Sequence, residues 1–314
     1  MDLSEMLTIF SPPKAFQGKI DVIQRNAIES WIALGNDVEI ILVGDEIGLS
    51  DAATEYGVRH IKNVARNELG TPLLNDIFSK VQGVAVNDFL CYVNADIIFL
   101  DDLIPSVRDI ARQIEKFLVV GQRWDLDIEE RLLISTDRSL ELRRRLAEKG
   151  QLHRPSGSDY FIFPQGEFRT IPAFALGRAG WDNWMIYAGR EARLPVIDAT
   201  ECITVMHQNH DYGHLPNGQP HYGLPETDEN ISLAGGREMI FTLHDTTWKC
   251  EKTGLRKKSL LERGIPRWIE TFVYTLLGPG KAARIFRLFY HPISTLRYLY
   301  NKNVETSISS SGKF

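Results

Sequence analysis

The chain has 314 residues, a formal net charge of −5, 43% hydrophobic and 25% charged residues; this excludes disorder as the main state and allows one large domain or two of about 150 residues. Cys91, Cys202 and Cys250 are far apart and odd in number, which excludes a disulfide framework and a four-cysteine zinc site and fits a reducing compartment. The first ten residues lack a basic segment before a long apolar run, and no uncharged apolar run reaches about 18 residues, so neither a signal peptide nor a spanning helix is expected and the cytoplasm is the expected location.

Along the chain, residues 7–10 predict a strand, 20–34 an amphipathic helix and 38–43 a second strand closed by Gly44-Asp45. A short helix from Ser50 to Gly57 and a small strand over 58–61 follow. Thr71-Pro72 offers a cap and an N1 proline for a helix carrying Leu74, Ile77, Phe78 and Val81 inward. Residues 89–93 are wholly apolar, as in a strand buried on both faces, and end at Asn94-Ala95-Asp96. Pro105 is expected to start a helix, and 117–120 to form the next strand. Such alternation predicts an α/β fold with a mostly parallel sheet and helices on both faces. Further on, 137–149 reads as a charged helix, 160–163, 196–199 and 203–206 as strands, 180–190 as a short aromatic helix, and 207–236 as a long functional loop.

The turn after the first strand, Ser11-Pro12-Pro13-Lys14-Ala15-Phe16, has no glycine, and its two prolines remove amide donors. This excludes the glycine loops of dinucleotide-binding dehydrogenases and of P-loop NTPases. In open α/β sheets ligands sit at the carboxyl ends of strands, and there Asn94-Ala95-Asp96 sets two oxygen-bearing side chains on one side of an extended backbone. A hard divalent cation on a diphosphate needs one or two such ligands.

The order of strand, Gly44-Asp45, Arg66-Asn67, long helix, apolar strand and Asn94-Ala95-Asp96-Ile97-Ile98-Phe99-Leu100 resembles the glycosyltransferases of the GT-A fold, over residues 6–210. The family carries an Asp-x-Asp motif at this place; Asp96 matches the metal-binding position, and Asn94 replaces the first aspartate. The resemblance implies a nucleotide-diphosphate sugar donor, a Mn2+ or Mg2+ cofactor, a Rossmann-like GT-A domain, and a donor contact for Asp45. Arg66 and Asn67, ahead of the next helix, join Asp45, Asn94 and Asp96 as candidate donor-binding residues.

Gly177-Arg178-Ala179-Gly180-Trp181-Asp182-Asn183-Trp184 brackets a carboxylate with two tryptophans. A tryptophan face packs on a sugar ring, so Trp181 and Trp184 are candidate acceptor-binding residues, and a carboxylate beside them can take a proton from a sugar hydroxyl. In inverting GT-A enzymes such a residue is the general base, which the resemblance assigns to Asp182. Asp159, ahead of a strand in the acceptor half, is a second catalytic candidate, either orienting acceptor hydroxyls or serving a retaining reaction. Arg123-Trp124-Asp125 at a strand end belongs to donor or acceptor recognition. Three histidines, His207, His210 and His214, follow a strand; the resemblance implies that His207, or else His210, completes the metal set of Asp96. Open alternatives are a zinc-dependent hydrolase built from His207, His210, Asp211 and His214, and a noncatalytic nucleotide-sugar or glycan-binding subunit.

Residues 256–314 hold eleven Lys/Arg against three Asp/Glu, while the rest of the chain is acidic. The expected division is a body over 1–255, with a donor-binding half of 6–121 and an acceptor half of 122–255, and a basic aromatic helical tail over 256–314 with a disordered serine-rich end. An acidic body does not suit nucleic acid. The amphipathic tail suits either peripheral contact with an anionic membrane through 256–300, matching a lipid-linked or glycan acceptor, or packing on the body.

Overall fold

The first strand, β1 (Leu7–Ser11), is buried along its whole length, as a strand covered on both faces must be. The computed structural model describes residues 7–132, 136–210 and 224–292. After β1 come α1 (Gly18–Ile32), β2 (Val38–Val43), α2 (Leu49–Tyr56), β3 (Arg59–Ile61), α3 (Leu74–Val84) and β4 (Phe89–Val93). β1 lies parallel to both β2 and β4. Leu7 and Ile9 face one core with Ala27, Ile28 and Trp31 of α1, while Phe10 faces the other with Leu74, Ile77, Phe78 and Val81 of α3. The period-two strand and the helical stripes thus divide the apolar residues between two layers of helices.

The chain continues through β5 (Ile97–Phe99), α4 (Leu103–Gln113), β6 (Leu118–Val120), β7 (Trp124–Leu126), α5 (Thr136–Lys149), β8 (Gln151–Leu152), β9 (Tyr160–Pro164), α6 (Trp181–Glu191), β10 (Val196–Asp198) and β11 (Val205–Gln208). The last described elements are α7 (Pro225–Leu233), β12 (Trp248–Glu251), β13 (Gly254–Lys257), α8 (Leu260–Arg263), α9 (Ile265–Leu277) and α10 (Lys281–Tyr290). Among the described residues the main sheet has nine strands in the order β13-β12-β10-β6-β9-β4-β1-β2-β3, and a second sheet has four, β5-β11-β7-β8. In the main sheet β9 runs antiparallel to β4 and β6, and β13 to β12; its other pairings are parallel. The expected α/β class and mostly parallel central sheet are therefore observed.

Two expected elements change. Thr71 does not cap α3, whose N-cap is Leu73 without a side-chain bond; the Thr71 N–H instead donates to Asn67 Oδ1 at 2.9 Å. The stretch 207–236 is not all loop, because α7 starts with Pro225 and has Glu226 and Asp228 in its first turn, where acids suit the helix dipole. Its buried residues are Glu226, Thr227 and Asn230, a polar inner face with no apolar period to read. Residues 255 and 256 both lie in β13, which pairs with β12 on the edge of the main sheet, and Tyr274 and Ala283 are buried in the same core as Phe10. Asp211, His214 and the serine-rich end lie outside the described residues.

Candidate active site

The turn Asn94-Ala95-Asp96 leaves the main sheet at the end of β4 and enters the second sheet at β5. β11 pairs with β5 antiparallel, His207 opposite Ile97, and with β7 in parallel, His207 opposite Asp125. This double register sets His207 between the turn that carries Asp96 and the strand that carries Asp125. Gln208 locks the junction. Its backbone N–H and its amide each donate to the Asp96 carbonyl at 3.2 Å, and its amide also donates to the Ile23 carbonyl at 2.9 Å.

The result is a cluster of Asp96, His207 and His210 in which one ligand atom of each lies within 4.8 Å of the others. His210 Nε2 lies 3.1 Å and His207 Nε2 3.7 Å from Asp96 Oδ2. Asp96 Oδ1 is buried with no hydrogen-bond partner among the described residues. On the far side of its ring, His207 Nδ1 lies 3.0 Å from Asp125 Oδ1, and Asp125 Oδ2 lies 2.9 Å from His153 Nδ1. A carboxylate behind a ligating imidazole fixes its orientation and raises its basicity. One carboxylate and two imidazoles fit a divalent cation, with Mn2+ better suited than Mg2+, which prefers oxygen alone. Burial would push the Asp96 carboxyl up, but the charges of His207, His210 and Lys14 bring it well below the usual carboxylate range. Asp125, likewise opposed by burial, is held low by His207, Arg123 and His153.

A second group of carboxylates lies beside this cluster. β4 and β9 pair antiparallel with Val93 opposite Tyr160, so the next pair outward is Asn94 and Asp159. The Asn94 N–H donates to the Asp159 carbonyl at 3.0 Å, and its amide Nδ2 donates to Asp159 Oδ1 at 2.9 Å. The Tyr92 hydroxyl donates to Asn94 Oδ1 at 3.0 Å. Each end of the Asn94 amide therefore makes one bond within the protein, the nitrogen to Asp159 and the oxygen from Tyr92. An aspartate there would set two carboxylates against each other, whereas an amide can donate. Arg123 Nη1 donates to the same Asp159 oxygen at 2.7 Å, and Asp159 Oδ2 is buried without a partner among the described residues.

Asp182 enters from the start of α6. Gly180 precedes the helix at φ 106°, a left-handed backbone that a side chain would strain, and it turns the chain so that Asp182 falls in the first helical turn. Asp182 Oδ1 is buried and without a partner among the described residues. Burial, with the charge of Asp159 added, raises its carboxyl to about 6 against the opposing backbone amides at the helix start. Tyr92 lies among the three carboxylates: burial first, then the charges of Asp96, Asp159 and Asp182, push its phenol well up.

The other expected residues fall elsewhere. Trp181 is 5% exposed and packs 4.9 Å from Tyr92 and 5.5 Å from Phe161 between ring centroids. It is a core residue, and its reading as an acceptor platform is corrected, because no face is open to a sugar. Trp184 is half-buried, with its ring 5.2 Å from Phe174. Asp45 and Arg66 form an ion pair, with Glu46 also 2.8 Å from the Arg66 guanidinium. They stand on the same rim as Asp96, since β2 and β4 flank β1 in parallel. Asn67 folds its own loop: Oδ1 accepts from the Leu69 and Thr71 N–H groups at 3.0 and 2.9 Å, and Nδ2 donates to Glu226 at 2.7 Å. These bonds tie Asn67 to its own loop and to α7, and the amide nitrogen has a second N–H to offer.

Lys14 was not among the expected site residues. The buried Gln24 clamps its backbone, accepting from the Lys14 N–H at 2.6 Å and donating to its carbonyl at 2.9 Å. Burial lowers the pKa of the Lys14 ammonium, and the charge of Asp96, to which it is coupled, opposes that shift. The available signal was a lysine directly after Pro12-Pro13 at a parallel strand's carboxyl end. Lys14→Met should weaken binding of a nucleoside diphosphate about tenfold or more, the loss of one charge-assisted contact. Titration calorimetry of the variant with UDP and GDP checks this, and unchanged affinity for both removes Lys14 from the site.

The chain matches no protein-family model and no curated protein. Among solved structures it is similar to glucosyl-3-phosphoglycerate synthase of M. tuberculosis, at 13% identity and a TM-score of 0.45, over 75% of this chain and 84% of that one. The same synthase in complex with Mn2+, uridine-diphosphate-glucose and phosphoglyceric acid gives 15% identity and a TM-score of 0.46, over 75% and 83%. S. aureus TarS 1-349 is similar at 9% identity and a TM-score of 0.30, over 41% of this chain and 38% of that one.

Proposed function

We propose that the chain is a metal-dependent glycosyltransferase that moves a sugar from a nucleotide-diphosphate donor to a hydroxyl of a glycan or lipid-linked acceptor, with inversion. One observation carries this reading: Asp96, Asp159 and Asp182 each leave a buried oxygen without a partner among the described residues, at a strand-end cluster that also gathers His207 and His210. Orphaned buried oxygens are costly to a fold and are retained where a ligand meets them.

In this reading Asp96, His207 and His210 hold the divalent cation. Bound there, Mn2+ or Mg2+ supplies Lewis-acid neutralisation of the diphosphate charge. Lys14 adds a second positive charge on the side of the departing diphosphate, and Asp45 with Arg66 faces the nucleoside along the same rim. Asp182 takes the proton of the acceptor hydroxyl as its oxygen bonds to the anomeric carbon and the bond from that carbon to the diphosphate oxygen breaks. Trp184 is the remaining aromatic for the acceptor. Asp159 is ion-paired to Arg123, which makes it a poor nucleophile and favours direct displacement over a covalent intermediate. It acts instead on Asp182, whose proton affinity its charge raises.

The experiment is a thermal-shift panel of nucleotide sugars with and without Mn2+, followed by transfer assays with the stabilising donor and proton NMR of the fresh product. A bound donor raises the melting point by mass action. Metal-dependent stabilisation and an inverted anomer support the reading. Stabilisation without turnover across a broad acceptor panel replaces it by a noncatalytic binding subunit, and a retained anomer moves attention from Asp182 to Asp159.

A further inference from the structure

Helix α9 is turned inside out for a helix in water. Its buried residues are Glu270, Thr271 and Tyr274, while Ile265, Ile269, Phe272 and Leu276 are 41 to 69% exposed. Those four recur at the spacing of one helical stripe. On α10 the buried residue is Ala283, and Ile285, Leu288 and Phe289 are exposed, the last at 78%. Leu261, ahead of α9, is 81% exposed. Large apolar side chains exposed singly need no explanation, but a continuous stripe over two packed helices marks a surface that meets an apolar phase.

The charges divide the same way. The acids of this region are engaged: Glu270 with Arg267 at 2.8 Å and His291 at 2.9 Å, and Glu262 with Arg256 at 2.7 Å. Lys281 and Arg284 are exposed on α10 beside Ile285 and Phe289, with no ion pair among the described residues. No helix among the described residues is long and apolar enough to cross a membrane.

We propose that the outer face of α9 and α10 is a docking surface for an anionic phospholipid bilayer, on which the two helices lie in the interface with Phe272, Leu276, Ile285 and Phe289 inserted. Apolar burial and cation attraction together are what such binding needs. A second copy docked through the same face would offer Lys281 and Arg284 no free acid from this region, because Glu262 and Glu270 are already ion-paired, whereas an anionic bilayer supplies the opposite charge. The proposal does not depend on the transferase reading. It links the surface to the site all the same, because α9 packs on α6, the helix that begins with Asp182.

The test uses the full chain and vesicles of phosphatidylcholine with phosphatidylglycerol in equal parts, against phosphatidylcholine alone, at low salt. The chain should sediment with the mixed vesicles and far less with the neutral ones. Phe272→Ser, Leu276→Ser and Phe289→Ser together should lower the partition at least about tenfold with an unchanged melting point, since all three side chains are exposed. The proposal is overturned by no sedimentation with the mixed vesicles, by equal sedimentation with both, or by undiminished binding of the triple variant. It is also overturned by a dimer in light scattering that the triple variant dissolves, which assigns the face to a second copy.

Discussion

Asp96→Ala is expected to abolish sugar transfer and to weaken Mn2+ binding by roughly a hundredfold or more, since the loss of a charged ligand exceeds the 10–100-fold cost of losing an outer-shell partner. Among the described residues the carboxylate is the single anionic ligand of the cluster, and the two imidazoles that remain would compete for a hard ion through nitrogen alone. Donor binding should lose its metal dependence with it. The residual affinity then comes from Lys14 and the rim, and is insensitive to chelator. Asp96→Asn serves as the companion variant, because an amide of the same shape leaves the backbone anchors at the Asp96 carbonyl in place. It should fold, as circular dichroism can verify, and be as inactive as the alanine variant. Calorimetric titration of Mn2+ into both variants, with transfer assayed alongside, reads the effect. Wild-type Mn2+ affinity and wild-type turnover in a folded Asp96→Asn protein would end the metal-dependent reading.

Much of the framework was legible because it is local. The wholly apolar β4, the amphipathic α1 and the glycine stop of α2 each declare themselves within one element, and the alternation of strands and helices then leaves few sheet topologies open. Asp96 was legible for the same reason: it ends the most apolar strand, where open sheets bind ligands. What sequence could not show is pairing. Asp125 stands behind His207 because β11 lies between β5 and β7 in a second sheet, and nothing within residues 124–126 or 205–208 announces that neighbour. Asn94 likewise stands opposite Asp159 through the β4–β9 register.

The two tryptophans of the aromatic string were indistinguishable for a different reason. Trp181 and Trp184 have the same composition around them, but α6 turns Trp181 under Tyr92 and Phe161 and leaves Trp184 at the margin. Periodicity ranks faces only when polar and apolar residues sort between them, and here tryptophans stand on both sides of Asp182, at 181 and 184. α7 and α9 invert the usual sorting outright, burying Glu226 and Asn230 in one and Glu270 and Thr271 in the other. A buried polar face is fixed by partners distant in sequence, as Asn230 is by the Ala175 N–H at 2.8 Å, so it leaves no local signal.

Asp182→Asn is expected to lower kcat by about 10²–10⁴, the range of a general base, and at the same time to stabilise the fold above neutrality. The two effects have one origin. Burial and the Asp159 charge raise the Asp182 carboxyl from its ordinary 3.8 to about 6. Between those values the folded chain keeps a proton that the unfolded chain releases, so stability falls as pH rises through about 6 and stays reduced above it. Holding the ionised carboxylate in that site costs the fold at most about 3 kcal/mol. An asparagine carries no charge to bury, so the variant should melt higher than wild type at pH 8, and the two should converge below pH 4, where both states of the wild type are protonated. Wild-type kcat should rise with pH through about 6 as the base ionises, and the small activity left in the variant should lack that limb. Donor affinity should be unchanged, since the proton is taken from the acceptor. Melting curves over pH 3–9 and rate profiles over pH 4–9 read all of this. A variant that loses kcat and also melts lower at pH 8 would make Asp182 a structural cap of α6, because a cap lost from a helix start lowers stability at every pH where it is ionised.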